Sequence, residues 1–167
     1  MSRPPRNKDP ADPQVARLRA LRLLARREHG AAELKRKLAG RGVAEAAAAE
    51  AVEALSRDGW QSDARYVGSL VRLRVGQGYG PLRIRAELEA AGVAEALIGP
   101  ALADTDWKAL AVSVHARRFR RAPASAAEWQ KQYRYLAGRG FETEHIYAAL
   151  NPPSDFDPES YPTEAGE

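Results

Sequence analysis

Five consecutive positions, Arg117-Arg118-Phe119-Arg120-Arg121, carry four guanidinium groups. A guanidinium is permanently charged and presents five N–H donors in one plane, a shape suited to phosphate or carboxylate. Four of them surrounding a helix end cannot all be buried, although the helix dipole alone also favours cations there. Further arginines are spaced to share faces. Arg65 and Arg72 lie seven apart on one helical face, Arg83 and Arg85 flank Ile84, and Arg19, Arg22 and Arg26 follow i, i+3, i+7. Any one set reads equally well as solvated charge. Their recurrence along the chain points to a common anionic partner, with Arg65, Arg72, Arg83, Arg85, Arg117, Arg118, Arg120 and Arg121 as the candidate contacts.

Other chemistry is thinly supplied. The chain has no cysteine and three histidines. His29, His115 and His145 show no metal-ligand spacing and read as surface or capping residues, His115 adding charge to the arginine cluster when protonated. The break Gly76-Gln77-Gly78-Tyr79-Gly80 follows a helical stripe instead of a strand, and lacks both the dinucleotide spacing and a following Lys-Ser/Thr. It reads as a flexible turn with Tyr79 exposed. Asp104 and Asp106 sit at a helix junction and read as caps, as does either Ser62 or Asp63. No catalytic residue, metal site or cofactor is expected, and an enzyme is the weaker class.

The elements that position these groups are helical. In 167 residues, 44% are hydrophobic but only 7% aromatic, and Ala is abundant, a composition for small-residue helix packing and against a β-sandwich. The net charge of +4 hides an asymmetry. Residues 151–167 hold five acids and no Lys or Arg, leaving 26 basic against 17 acidic residues in 1–150. A basic body often meets a polyanion; a GC-rich genome also enriches Arg and Ala with no functional meaning. No apolar run approaches the ~20 residues of a membrane span. The basic, Pro-rich start has no apolar signal region, so a cytoplasmic protein is expected.

An internal repeat organises the chain. Leu38-Ala39-Gly40-Arg41-Gly42-Val43 recurs as Leu88-Glu89-Ala90-Ala91-Gly92-Val93 and as Leu136-Ala137-Gly138-Arg139-Gly140-Phe141. Each hexapeptide fits a helix stop in which glycine takes the left-handed position and the next, apolar residue folds back onto the leucine. Gly42, Gly92 and Gly140 are the expected stops. Apolar stripes precede them: Val15, Leu18, Leu21 and Ala25; Val67, Leu70, Val71 and Arg74; Trp107, Leu110, Val114 and Arg118. The pattern predicts helices over 13–28, 31–41, 44–57, 63–76, 80–91, 94–104, 107–120, 125–139 and 142–150. The expected fold is all-α: three tandem three-helix modules, 13–60, 61–105 and 106–150, between a mobile Pro-rich arm (1–12) and a disordered acidic tail (151–167). Modules this small sit near the lower limit for folding alone and gain from stacking. In a row they would form an elongated, curved helical array on the order of 60 Å long, better suited to a long partner than to a small molecule.

Asp58-Gly59-Trp60-Gln61-Ser62-Asp63-Ala64-Arg65-Tyr66-Val67 and Gly80-Pro81-Leu82-Arg83-Ile84-Arg85-Ala86-Glu87-Leu88, with Glu33-Leu34, Lys37-Leu38, Trp107 and Arg139-Gly140-Phe141, resemble the RecX family of bacterial recombination regulators. The resemblance covers roughly residues 20–150. Trp60 and Gln61 depart from it, standing where a small apolar pair is more usual. The resemblance implies three tandem three-helix modules without catalysis. It also implies binding to the RecA recombinase and its filament on single-stranded DNA, with restraint of strand exchange, ATP hydrolysis and co-protease action on the LexA repressor. A monomer with at most weak direct DNA contact is expected. Two other readings stay open from the residues alone: a nonspecific nucleic-acid binder, and a passive scaffold kept soluble by its charge.

Overall fold

A computed structural model of the chain describes residues 9–151. Among them are nine helices and no strand: α1 (Pro13–Leu24), α2 (Ala31–Ala39), α3 (Glu45–Arg57), α4 (Asp63–Gly76), α5 (Pro81–Ala90), α6 (Glu95–Ala103), α7 (Trp107–Arg118), α8 (Ala126–Gly138) and α9 (Thr143–Leu150). All of the acidic tail expected to be disordered except Asn151, and most of the arm expected to be mobile, lie outside the described residues. Within the arm, the Pro10 carbonyl accepts the Ala44 N–H at 2.8 Å, and the Asp12 carboxylate caps α1 by accepting from Gln14 N.

The second helix of each triplet ends alike. Gly42, Gly92 and Gly140 have φ of 77°, 79° and 87°. The N–H groups of Val43, Val93 and Phe141 donate to the carbonyls of Leu38, Leu88 and Leu136 at 3.1, 3.1 and 3.3 Å. All three leucines are fully buried and the apolar partners nearly so. This six-to-one bond satisfies a terminal carbonyl while the apolar clasp aims the chain into the next helix. The same device ends α3, where Gly59 has φ 78° and Trp60 N–H donates to the Leu55 carbonyl at 2.9 Å. There the clasping residue, Trp60, stays 59% exposed.

The core is built as much from alanine as from leucine. In α1 the buried face is Ala16, Ala20 and Leu23, while Leu18 is exposed. The stripe expected from Val15, Leu18, Leu21 and Ala25 is therefore rotated. Small side chains let α1 approach α2 and α3 closely, around Leu34, Leu38, Ala48, Val52 and Leu55. The helix also stops at Leu24, four residues before the expected end. In the second triplet Val67, Leu70 and Val71 of α4, Ile84 and Leu88 of α5, and Ile98 and Leu102 of α6 are all buried. In the last triplet Ala111, Val114, Trp129, Leu136, Phe141, Ile146 and Leu150 form one cluster.

The chain forms two compact units. One contains the described residues up to Gln77 together with Ile84–Thr105; the other contains Gly78–Arg83 and the described residues from Asp106 onward. Inside the first, the α1–α2 turn is tied to the start of α4. Gln61 Nε2 donates to the His29 carbonyl at 3.2 Å and to Asp63 Oδ1 at 2.8 Å. Asp63 Oδ1 also accepts the Ala31 N–H at 2.8 Å, while Ser56 Oγ donates to Gln61 Oε1 at 2.6 Å. Ser62, not Asp63, caps α4. Inside the second, the Gly80 N–H donates to the Arg139 carbonyl at 2.8 Å and the Leu82 N–H to the Gly140 carbonyl at 3.0 Å. The Gly76–Gly80 break is thus no loose turn: its end is hydrogen-bonded to the glycine stop of α8.

Candidate functional site

The candidate arginines divide by what their N–H groups already hold. Arg65, on the first turn of α4, gives its Nε to Glu28 at 2.8 Å and an Nη to the Trp60 carbonyl at 3.0 Å. Arg85 holds both oxygens of Glu95 at 2.7 and 2.6 Å. Arg121 reaches Glu128 at 3.3 Å. These three are locally compensated. Among the described residues Arg72 donates only to Ser69 Oγ, 3.3 Å away, and it lies over Gly68, in an open groove with Glu28, Ala64 and Arg65. Arg117 donates to Ser113 Oγ at 2.9 Å. Arg83, Arg118 and Arg120 have no carboxylate partner among the described residues.

Aromatic rings separate the arginines of the second unit. The Arg83 guanidinium lies 4.2 Å from the centre of the Tyr79 ring, and that of Arg139 lies 5.1 Å from the same ring. Arg139 is also 5.3 Å from the Tyr135 ring, and Arg118 is 5.8 Å from Tyr135 and 5.3 Å from Phe119. Phe119 meets Tyr135 edge-on at 5.3 Å. Each cation over a ring face is worth roughly 0.5–1 kcal/mol at such partly exposed sites. Tyr79, expected to be exposed, is half-buried in this stack. Sequence reasoning missed Arg139, Tyr79 and Tyr135. The i, i+4 pairs Tyr79–Arg83 and Tyr135–Arg139 were the available signal.

The histidines are buried, not on the surface. His115 packs between α7 and α8, its Nε2 2.6 Å from Gln132 Oε1 and its ring against Phe119. That places it in the core instead of adding its ring to the exposed arginine cluster. His29 is 2% exposed; its Nδ1 lies 3.7 Å from Glu33 Oε2, and neither ring nitrogen has a hydrogen-bond partner among the described residues. Burial lowers its pKa, only partly opposed by Glu33. Burial works against charge on Glu33 too, but hydrogen bonds from Arg27 and Lys37 prevail and hold its carboxyl below the usual range. His145 has a capping role: it accepts the Glu142 N–H at 3.3 Å while the Glu142 side chain returns a bond to the helix. Glu142, Glu144 and His145 come within 4.8 Å of one another, but the cap and a 3.4 Å pair between Glu144 and Lys108 account for them. Asp106 caps α7 by accepting from Ala109 N at 2.9 Å.

Family models match this chain in three consecutive stretches: the first three-helix domain of RecX over residues 16–55, the second over 62–102 and the third over 104–150. A regulatory protein RecX from Xanthomonas oryzae is 45% identical over 143 residues, covering 84% of this chain and 87% of the relative. Another from Acidithiobacillus ferrooxidans is 46% identical over 132 residues, covering 78% and 85%. Among solved structures, RecX from Lactobacillus salivarius matches in fold with a TM-score of 0.71 at 20% identity, over 83% of this chain and 94% of that one. A further RecX crystal structure gives the same TM-score at 24% identity, over 83% and 71%. With three helix triplets, their shared glycine stops and these relatives, the chain belongs to the RecX family of regulatory proteins.

Proposed function

We propose that this chain is a non-catalytic, monomeric, cytoplasmic regulator that binds the RecA recombinase and its filament on single-stranded DNA. It restrains strand exchange, ATP hydrolysis and co-protease action on the LexA repressor, and so acts in DNA repair, recombination and the SOS response. The relatives' name, regulatory protein RecX, supports this reading. The observation that carries it is the set of arginines, Arg72, Arg83, Arg117, Arg118 and Arg120, held without carboxylate partners among the described residues. Guanidinium groups left uncompensated on several helices suit a long, repeating anionic partner, where many modest contacts add up to avidity. No helix among the described residues is long and apolar enough to cross a membrane.

The decisive measurement is DNA-dependent ATP hydrolysis and repressor cleavage by RecA, with the purified chain titrated in. Dose-dependent inhibition of both is expected. Unchanged rates at saturating dose end the proposal. The second reading, a nonspecific nucleic-acid binder, is favoured by the excess of basic residues. It predicts tight binding to bare single strands that weakens steeply with salt and shows no preference for filaments.

A further inference from the structure

Arg83 and Arg118 of the second unit differ in kind from carboxylate-paired arginines such as Arg85 and Arg121. A carboxylate offsets the charge of a guanidinium and takes some of its in-plane N–H donors, as Glu95 takes Nη1 of Arg85. A ring contact forms no hydrogen bond to an oxygen acceptor, so those donors stay available for one. Apart from ring contacts, the Arg83 and Arg118 side chains make no hydrogen bond or ion pair among the described residues. They are oriented by aromatic faces and open to an anion.

The surroundings supply nothing to satisfy them. The described residues of this unit contain nine Lys or Arg and four carboxylates, and each carboxylate is engaged elsewhere. Asp106 caps α7, Glu128 holds Arg121 and the Ala124 N–H, Glu142 is in the α9 cap, and Glu144 faces Lys108. The strip is also braced. Tyr79 sits on a segment fixed by the Gly80 and Leu82 bonds, and Arg139 Nε donates to the Tyr135 hydroxyl at 3.1 Å. The successive ring contacts put Arg83 and Arg118 no more than about 20 Å apart.

We propose that the stack of Arg83, Tyr79, Arg139, Tyr135 and Arg118 is a binding strip for single-stranded polynucleotide. Phosphates take the N–H groups of Arg83 and Arg118, and bases stack on the guanidinium planes of these two exposed arginines. An acidic polypeptide would use the donors but not the stack, whereas every base has a π-face. The inference rests on the filament reading for its setting and deepens it: this strip meets the strand, not the recombinase.

The test is fluorescence anisotropy of a labelled oligo(dT) with the full chain across a salt series. The double variant R83Q/R118Q should bind at least about tenfold more weakly, its salt slope reduced by about 1.4 for two lost phosphate contacts. R85Q/R121Q removes the same formal charge from carboxylate-paired positions and should stay within about twofold. R118Q alone, which disturbs no hydrogen bond, should reproduce part of the loss with unchanged circular dichroism. Equal losses in both doubles would overturn the strip. So would displacement of oligo(dT) by polyglutamate or inorganic polyphosphate, at equal charge, as effectively as by unlabelled oligo(dT). RecA-dependent ATP hydrolysis, measured with the same proteins, separates the two readings. A chain that never inhibits it yet shows the selective R83Q/R118Q loss removes the filament setting and keeps the strip. One that inhibits it while both doubles lose strand binding equally removes only the strip.

Discussion

Gly80 and Gly140 meet backbone to backbone: a Cβ built on Gly80 would overlap the Gly140 carbonyl. Gly140 is constrained twice, with φ of 87° and a would-be Cβ 2.5 Å from that of Arg83. Gly42 has the same left-handed backbone but open space around it. Gly42→Ala should therefore cost about 1–2 kcal/mol, the left-handed penalty alone. Gly140→Ala should cost more, by at least ~1 kcal/mol of added overlap. Urea unfolding of the two variants side by side checks the order; equal losses would contradict the close approach.

Gln61, between α3 and α4, is buried against the α1–α2 turn with three side-chain hydrogen-bond partners. Replacing it with Leu should destabilise by about 2–3 kcal/mol, because the His29 carbonyl and Ser56 hydroxyl lose a buried partner. Asp63→Ala should cost a similar amount. The pair should be less than additive by about 1 kcal/mol, since the two share one bond. Additive losses in a double-mutant cycle would show that the network is not coupled.

His29 predicts a pH dependence. In the unfolded chain the imidazole takes a proton near pH 6.5, about its ordinary value. In the folded chain burial depresses that pKa, against the pull of Glu33 and Glu28 and with the push of Arg27 and Lys37. Between the two values the unfolded state binds more protons, so stability falls as pH drops through 6.5 and levels off once the folded ring also protonates. His29→Leu removes the buried titrating ring, whose Nδ1 lies 3.7 Å from Glu33 Oε2, and should flatten that fall. Its stability relative to the parent should be higher at pH 5.5 than at pH 8. Chemical denaturation at both values measures this, and parallel curves for the two proteins would refute it.

At the end of α7 the arginines should separate by partner. Reversing Arg117, Arg118 and Arg120 to Glu should remove at least about tenfold of the apparent affinity for RecA filaments. Arg121→Gln, already compensated by Glu128, should change it by less than about twofold. Inhibition curves for RecA-dependent ATP hydrolysis report both.

Much of this fold is written locally. A glycine stop needs only six consecutive residues, so Gly42, Gly92 and Gly140 stand out by eye, and the buried Ile98, Leu102, Ile146 and Leu150 follow at matching offsets. Where large and small apolar residues compete, hydrophobicity misleads. Ala16 and Ala20 took the buried face of α1 from Leu18 because close helix approach favours the smaller side chain. His115 was legible in part, lying in register with Ala111 and Val114 on the buried face of α7. Of the stack only its halves were legible, as the i, i+4 pairs Tyr79–Arg83 and Tyr135–Arg139; their meeting was not. Tyr79 meets Arg139 only because the glycine backbones between α4 and α5 and after α8 dock together.

That docking joins residues about sixty positions apart, as in the bond from Arg139 to the Gly78 carbonyl. During synthesis at roughly 5–20 residues per second, Gly78 leaves the ribosome about 3–12 seconds before its partner exists. The earlier triplet can already be closing around its own leucines by then. The first turn of α5 finds its final seat last, when the closing helices of the polypeptide arrive to receive it.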